Sequence, residues 1–227
     1  MKMAVRPGTV VVFTDVVCGW STVALHRFYQ ARKRLGLTDK VHIDHQLFLL
    51  EDVNRSAIPK RLLDSEIPVV GTLAPEFGWK PWQGDASTWP ITSLLTNEAV
   101  HAAKRQSLQA AEELDMALRH AFFTDSRPIS LLHEIVDAAA ECDGVDSEVL
   151  RRDLEDGTAR AEMMRSYRRY ADDVQGSPHF FLSDGFDVHN PGIDVHWEGD
   201  PGAGFPVVDK DDPAAIDKLV ERAAGPD

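Results

Sequence analysis

Hydrophobic and polar positions along this chain change their spacing several times, and each change marks an element. Thr9 to Phe13 is a short, continuous, β-branched run, which predicts a buried strand. Val23, Leu25, Phe28, Tyr29 and Ala31 then recur at helical spacing, with His26, Arg27, Arg32, Lys33 and Arg34 on the polar side. This helix is expected to begin at a Ser21 or Thr22 cap, carry its basic residues toward the C-terminus, and stop at Gly36. Val41 to Leu49 reads as a second strand, alternating at Val41, Ile43, His45 and Leu47. Strand, helix and strand at these lengths make a βαβ unit with parallel strands.

The period then disappears. Residues 51–90 carry prolines at 59, 68, 75, 81 and 90 and tryptophans at 79, 82 and 89, and read as a long loop. From Ile91 to Asp173 the spacing is helical again. Helices are predicted over Ser93–Phe123 with a break near Ser107, then Ser130–Cys142, Ser147–Glu155 and Thr158–Asp173. Asp143-Gly144 ends one of them and Asp146 or Ser147 caps the next. Strand character returns at 176–182, followed by a Ser183-Asp184-Gly185 turn and Phe186 to His189. Asn190 to Pro206 reads as a Gly/Pro-rich loop, and Pro213 to Ala224 as a closing helix.

Composition narrows the function classes. The chain has 227 residues and a formal net charge of −13, which argues against a nucleic-acid partner or an anionic membrane surface. No stretch approaches ~18 consecutive apolar residues. Met1 to Gly8 lacks the apolar run of a signal peptide, and two cysteines make no disulfide framework, so a reducing, cytoplasmic location is expected.

The candidate chemistry centres on Cys18, in Asp15-Val16-Val17-Cys18-Gly19-Trp20-Ser21. A thiol at a helix start faces unpaired N–H groups and the positive dipole end, both of which favour thiolate, so its pKa is expected below ~8.5. The competing reading is a small buried hydrophobe. Ser21 stands where a dithiol motif would carry its second cysteine, and its hydroxyl could donate to the sulfur. Without that cysteine, a mixed disulfide on Cys18 persists until an outside thiol attacks it. Cys142 beside Asp143 is a weak candidate for a distant resolving thiol and a better one for an incidental cysteine. Trp20 is expected at the site mouth. Trp79, Trp82 and Trp89 either wall a pocket or form a satellite core under the loop. His189 and His196, with Asp187 and Asp194, match no metal-ligand spacing, so no metal site and no tightly bound cofactor is expected. No P-loop or dinucleotide fingerprint is present.

The element order, with Gly176-Ser177-Pro178-His179-Phe180-Phe181 opening the last unit, resembles the α/β thioredoxin-like fold (βαβ … ββα) with an inserted helical subdomain. More narrowly it resembles the DsbA-like family, and within it the FrnE-type proteins, kappa-class glutathione transferases and 2-hydroxychromene-2-carboxylate isomerases. The Cys-Gly-Trp-Ser run stands against the family's Cys-Pro-Trp-Cys, Ala121-Phe122-Phe123 with Leu131 to Ala140 against its insertion, and Gly-Ser-Pro-His-Phe against its Gly-Val-Pro-x-Phe. The resemblance covers Val10 to Ala224 and implies a thioredoxin core at about 9–50 and 174–224, with the insertion at about 51–173. It implies a cis Ser177–Pro178 bond facing Cys18. Cys18 and Ser21 would be catalytic, and Gly19, Trp20, Ser177, Pro178 and His179 substrate-binding. The leading activity is monothiol disulfide exchange with a small thiol (glutathione or mycothiol) or a protein thiol/disulfide. The alternatives are a transferase-like or isomerase activity on a small molecule, and a non-catalytic binding protein. A homodimer is the open assembly option.

Overall fold

In the computed structural model, which describes residues 3–225, the βαβ unit stands as the pattern predicts. Strand β1 (Thr9–Thr14), helix α1 (Gly19–Arg34) and strand β2 (His42–Leu47) follow in order, and β1 pairs with β2 in parallel, Val10 opposite Ile43. The second unit supplies β3 (His179–Phe181), antiparallel to β1, and β4 (Asp187–His189), antiparallel to β3, giving a sheet ordered β2-β1-β3-β4. The last helix of the chain (Ala214–Ala224) packs beside α1. Between that pair and the sheet, Val10, Val12, Leu25, Phe28, Ile43, Phe180 and Val220 form one core, each 0% exposed. β-branched residues at the buried centre and a helical stripe over them explain why this half is legible from periodicity.

The inserted half is helical: α2 (Leu50–Val53), α3 (Lys60–Leu73), α4 (Leu94–Gln106), α5 (Leu108–Phe123), α6 (Leu132–Ala140), α7 (Ser147–Asp156) and α8 (Thr158–Tyr170), so the closing helix is α9. The predicted break near Ser107 is real: Ser107 is extended, and its hydroxyl accepts from the Ala110 amide at 2.9 Å, capping α5. Asp146 caps α7 by accepting from the Glu148 and Val149 amides.

Three expectations need correction. First, α1 is capped by Cys18, not by Ser21 or Thr22, both of which lie inside the helix. Second, residues 51–90 are not all loop. α3 forms despite Pro68 within it, because Pro68 is exposed while Leu63, Ile67 and Val70 bury one face. Third, residues 190–206 are not a plain loop. They contain β5 (Ile193–Glu198) and the start of β6 (Phe205–Asp211), a separate antiparallel hairpin packed on α3. Trp79, Trp82 and Trp89 resolve to the satellite-core reading: they pack with Phe77, Phe122 and Phe123 at ring separations of 4.6–5.8 Å. No helix among the described residues is long and apolar enough to cross a membrane.

Candidate active site

The chain leaves β1 through a tight turn in which the Cys18 amide donates to the Asp15 carbonyl at 3.1 Å. Cys18 then adopts an extended conformation and its sulfur accepts the Ser21 amide at 3.5 Å, so the thiol itself caps the helix. Ser21 therefore meets the sulfur through its backbone amide, and its side-chain hydroxyl also works toward ionisation of the thiol. That hydroxyl lies against the carbonyls of Asp15 (3.1 Å) and Cys18 (3.0 Å), and the Thr22 hydroxyl donates to the Cys18 carbonyl at 2.9 Å.

The Gly176-Ser177-Pro178 segment closes over this turn. The Ser177–Pro178 peptide is cis. The Cys18 thiol donates to the Ser177 carbonyl at 3.3 Å, and the Asp15 amide donates to the Ser177 hydroxyl at 3.1 Å. A Cβ at Gly176 would stand 2.5 Å from Nε2 of the exposed His189 ring, which would have to turn aside.

Two buried charges hold the turn from behind. Arg119, on α5, is 0% exposed and pairs in fork geometry with Asp115, Nε to Oδ2 at 2.7 Å and Nη2 to Oδ1 at 3.0 Å. Its Nη1 also donates to the Ser21 and Thr22 hydroxyls (2.9 and 2.8 Å), and lies within 3.3 Å of the Asp15 and Val16 carbonyls. The Asp15 carboxylate accepts from Asn97 Nδ2, the Ser93 hydroxyl, and the amides of Val17 and Leu50. Burial pushes the Asp15 carboxyl up, against those four hydrogen bonds. Nothing in residue spacing pointed to Asn97, Ser93 or Arg119. The one available signal was Asp115 and Arg119 four apart on a helix whose neighbours are apolar.

In front of Cys18 lies a cavity of about 210 Å³, walled by Trp20, Leu50, Ile58, Leu62 and Leu63, with Glu51 and Glu66 as its acidic members. Trp20 sits at the site as expected, and its indole N–H donates to Glu66 at 3.0 Å. Burial raises the Glu66 carboxyl to about 7, the Trp20 hydrogen bond opposing. The Cys18 sulfur is at the foot of this cavity in a residue only 6% exposed. Burial pushes its thiol above the ordinary value, and the Glu66 charge adds to the rise, while the Ser177 and Ser21 contacts oppose it. The direction is opposite to the depressed thiol expected from the helix start, because the sulfur is buried.

The remaining sequence candidates fall elsewhere. Gly19 is buried against Val70 of α3, where a Cβ would stand 3.5 Å from the valine methyls. Pro178 is buried, and Ser177 lines the cavity. His179 does not line it. Its ring is buried in β3, where Nδ1 accepts from the Gln175 amide at 3.1 Å and Nε2 meets Asp187 at 3.1 Å. Cys142 follows α6, donates to the Ala138 carbonyl at 3.4 Å, and is pushed up to about 11 by burial and by Glu113, Glu141 and Asp143. His196 pairs with Asp209 at 2.8 Å, and among the described residues no group of three or more metal-ligating side chains converges.

A Ser21→Cys variant tests the turn directly. The Ser21 amide is already within 3.5 Å of the Cys18 sulfur, so a local disulfide is expected on oxidation. Thiol titration should then lose two thiols per chain, and the reduced form should be about 1 kcal/mol less stable for the lost Arg119 contact. An unchanged thiol count after oxidation would refute the fit.

A capping cysteine faced by a proline turn, on a four-stranded βαβ…ββα core with helices inserted between the halves, defines a thioredoxin-fold thiol site. The chain belongs to the DSBA-like thioredoxin domain family, whose model matches residues 9–196. A sequence search of curated proteins finds no match. The fold is shared with the "probable DsbA oxidoreductase" of Streptomyces coelicolor, at TM-score 0.69 and 20% identity over 96% of this chain and 91% of that one. It is shared too with the cytosolic disulfide reductase DsbM of Pseudomonas aeruginosa in a structure with GSH, at 0.59 and 15% over 94% and 98%. A 2-hydroxychromene-2-carboxylate isomerase matches at 0.58 and 16% over 79% and 87%.

Proposed function

We propose that this protein carries out monothiol exchange at Cys18 with a small thiol or disulfide in the cytoplasm. The observation that carries the reading is the placement of a single sulfur at the foot of the 210 Å³ cavity, with Ser21 where a second thiol would stand. The Cys18 thiol loses its proton to water and attacks one sulfur of a disulfide. The substrate S–S bond breaks, a mixed disulfide forms on Cys18, and the other half leaves as thiolate and takes up a proton. A second small thiol then attacks the mixed disulfide and regenerates Cys18. The structure of the Pseudomonas neighbour with GSH supports a low-molecular-weight thiol as co-substrate, with glutathione and mycothiol as the two candidates. The enclosure of the sulfur in a residue 6% exposed favours a small partner over a protein disulfide.

The same enclosure favours one further reading: isomerase or transferase-like chemistry on an apolar molecule, as the isomerase among the fold's relatives does under its own name. Intact-mass measurement separates the readings. Incubation with hydroxyethyl disulfide should add one adduct per chain, absent from a Cys18→Ala variant and present in Cys142→Ala. An adduct on Cys142 alone, or none, would sink the exchange reading.

A further inference from the structure

The charges around the cavity are one-sided. Its acidic members are Glu66, on α3 above the sulfur, and Glu51, on α2. Glu51 is held in place, one oxygen accepting from the Thr92 hydroxyl at 2.8 Å and the other from the Ser93 amide at 2.9 Å. Glu66 is anchored, among the described residues, through one oxygen to the Trp20 indole at 3.0 Å. None of the described residues lining the cavity is lysine, arginine or histidine. The positive feature present is the start of α1, and the Ser21 amide there is already directed at the sulfur. A ligand carboxylate entering this space would be stripped of water beside like charge with no cation to meet it. That is a strong penalty where walls are apolar and the local dielectric is low.

We infer that the Cys18 cavity selects small thiols and disulfides that carry no carboxylate, uncharged or cationic, and that Glu66 sets this selection. The inference rests on the exchange reading and narrows it. A cationic group beside Glu66 does two things at once. It finds a counter-charge inside the cavity, and it neutralises the carboxylate that works against ionisation of Cys18. Glutathione has two carboxylates and one ammonium, so its disulfide brings net negative charge to an acidic wall. A carboxylate-free thiol meets no such opposition.

The experiment measures the rate of Cys18 adduct formation at pH 8, where Glu66 is ionised, using cystamine, hydroxyethyl disulfide and glutathione disulfide. Each rate is divided by that of the urea-unfolded chain, which removes the reagent's intrinsic reactivity. Cystamine should exceed glutathione disulfide by at least about fivefold at low salt, with hydroxyethyl disulfide between them. Glu66→Gln keeps an acceptor for Trp20 and should at least halve that ratio. A normalised ratio below fivefold, or one left above half in the variant, overturns the inference. If the variant does not fold, salt decides: the wild-type ratio should fall as ionic strength rises, and a salt-independent ratio overturns the selection. Failure of all three reagents to modify Cys18 overturns the exchange reading and the inference with it. Modification without charge order overturns the inference alone.

Discussion

Replacing Arg119 by methionine is expected to lower the free energy of unfolding by about 3–5 kcal/mol. The side chain is 0% exposed and Asp115, its fork partner, is 1% exposed, so removing the guanidinium leaves a carboxylate stranded without solvent. The same change removes the donor to the Thr14, Ser21 and Thr22 hydroxyls and the cation beside two carbonyls of the Cys18 turn. The loss is thus not only of an ion pair. The backbone that presents Cys18 loses its support from behind, and Cys18 adduct formation should become less selective over Cys142. Arg119→Lys keeps the charge but not the planar fork and should fall between the two. Urea titration followed by circular dichroism gives the number. A loss under about 1 kcal/mol for methionine would show that the carboxylate finds another partner, His45 being 3.7 Å from Asp115.

The second large effect is a pH dependence opposite to that of a low-pKa thiol. The thiolate is the nucleophile, and burial holds the Cys18 thiol above its ordinary value, so the reactive fraction is small at neutral pH. Below its pKa the thiolate fraction grows about tenfold per pH unit, so reaction with a neutral disulfide should rise about a hundredfold from pH 7 to 9, without a plateau. Near pH 7 the slope should be slightly shallower, because Glu66 ionises there and works against Cys18. The sign for stability follows. A thiol whose pKa is higher folded than unfolded leaves stability unaffected below the unfolded value. Stability then declines as pH rises through the unfolded pKa toward the folded one. Second-order rates between pH 6 and 10 test this. A rate that levels off near pH 7 would mean that the helix start outweighs desolvation after all.

The difference between that expectation and the one drawn from sequence shows where legibility ended. The strand at Thr9, the stripe Val23-Leu25-Phe28 and the break at Ser107 are local patterns, and local patterns place elements. The Cys18 position and the Ser177-Pro178 turn were legible for the same reason, helped by a family resemblance. How deeply the sulfur is buried depends on α3, and α3 was hidden by Pro68 and by the prolines and tryptophans around it. With α3 unread, its Glu66 and the walls Leu62 and Leu63 could not be assigned to the site. Arg119 was illegible for a different reason. A charged residue on a helix reads as a solvated face, and only the packing of α5 against the βαβ unit makes it an interior group. The hairpin of β5 and β6 was missed because glycines and prolines at 191–206 made the segment read as loop, although Ile193, Val195 and Trp197 alternate strictly with Asp194, His196 and Glu198 in β5.

The bonds that cross between the two halves bear on how the chain behaves as a whole. Asp15 of the sheet half is tied to Asn97 and Ser93 of α4, Arg32 of α1 to Glu112 of α5 at 2.6 Å, and Arg119 to the turn itself. Each ties a buried charge in one half to a polar or charged group of the other. Separating the halves breaks these buried bonds together, so the inserted helices are an insertion in topology but not in thermodynamics. The molecule is expected to unfold as one cooperative unit, and the helical segment is not expected to fold when excised.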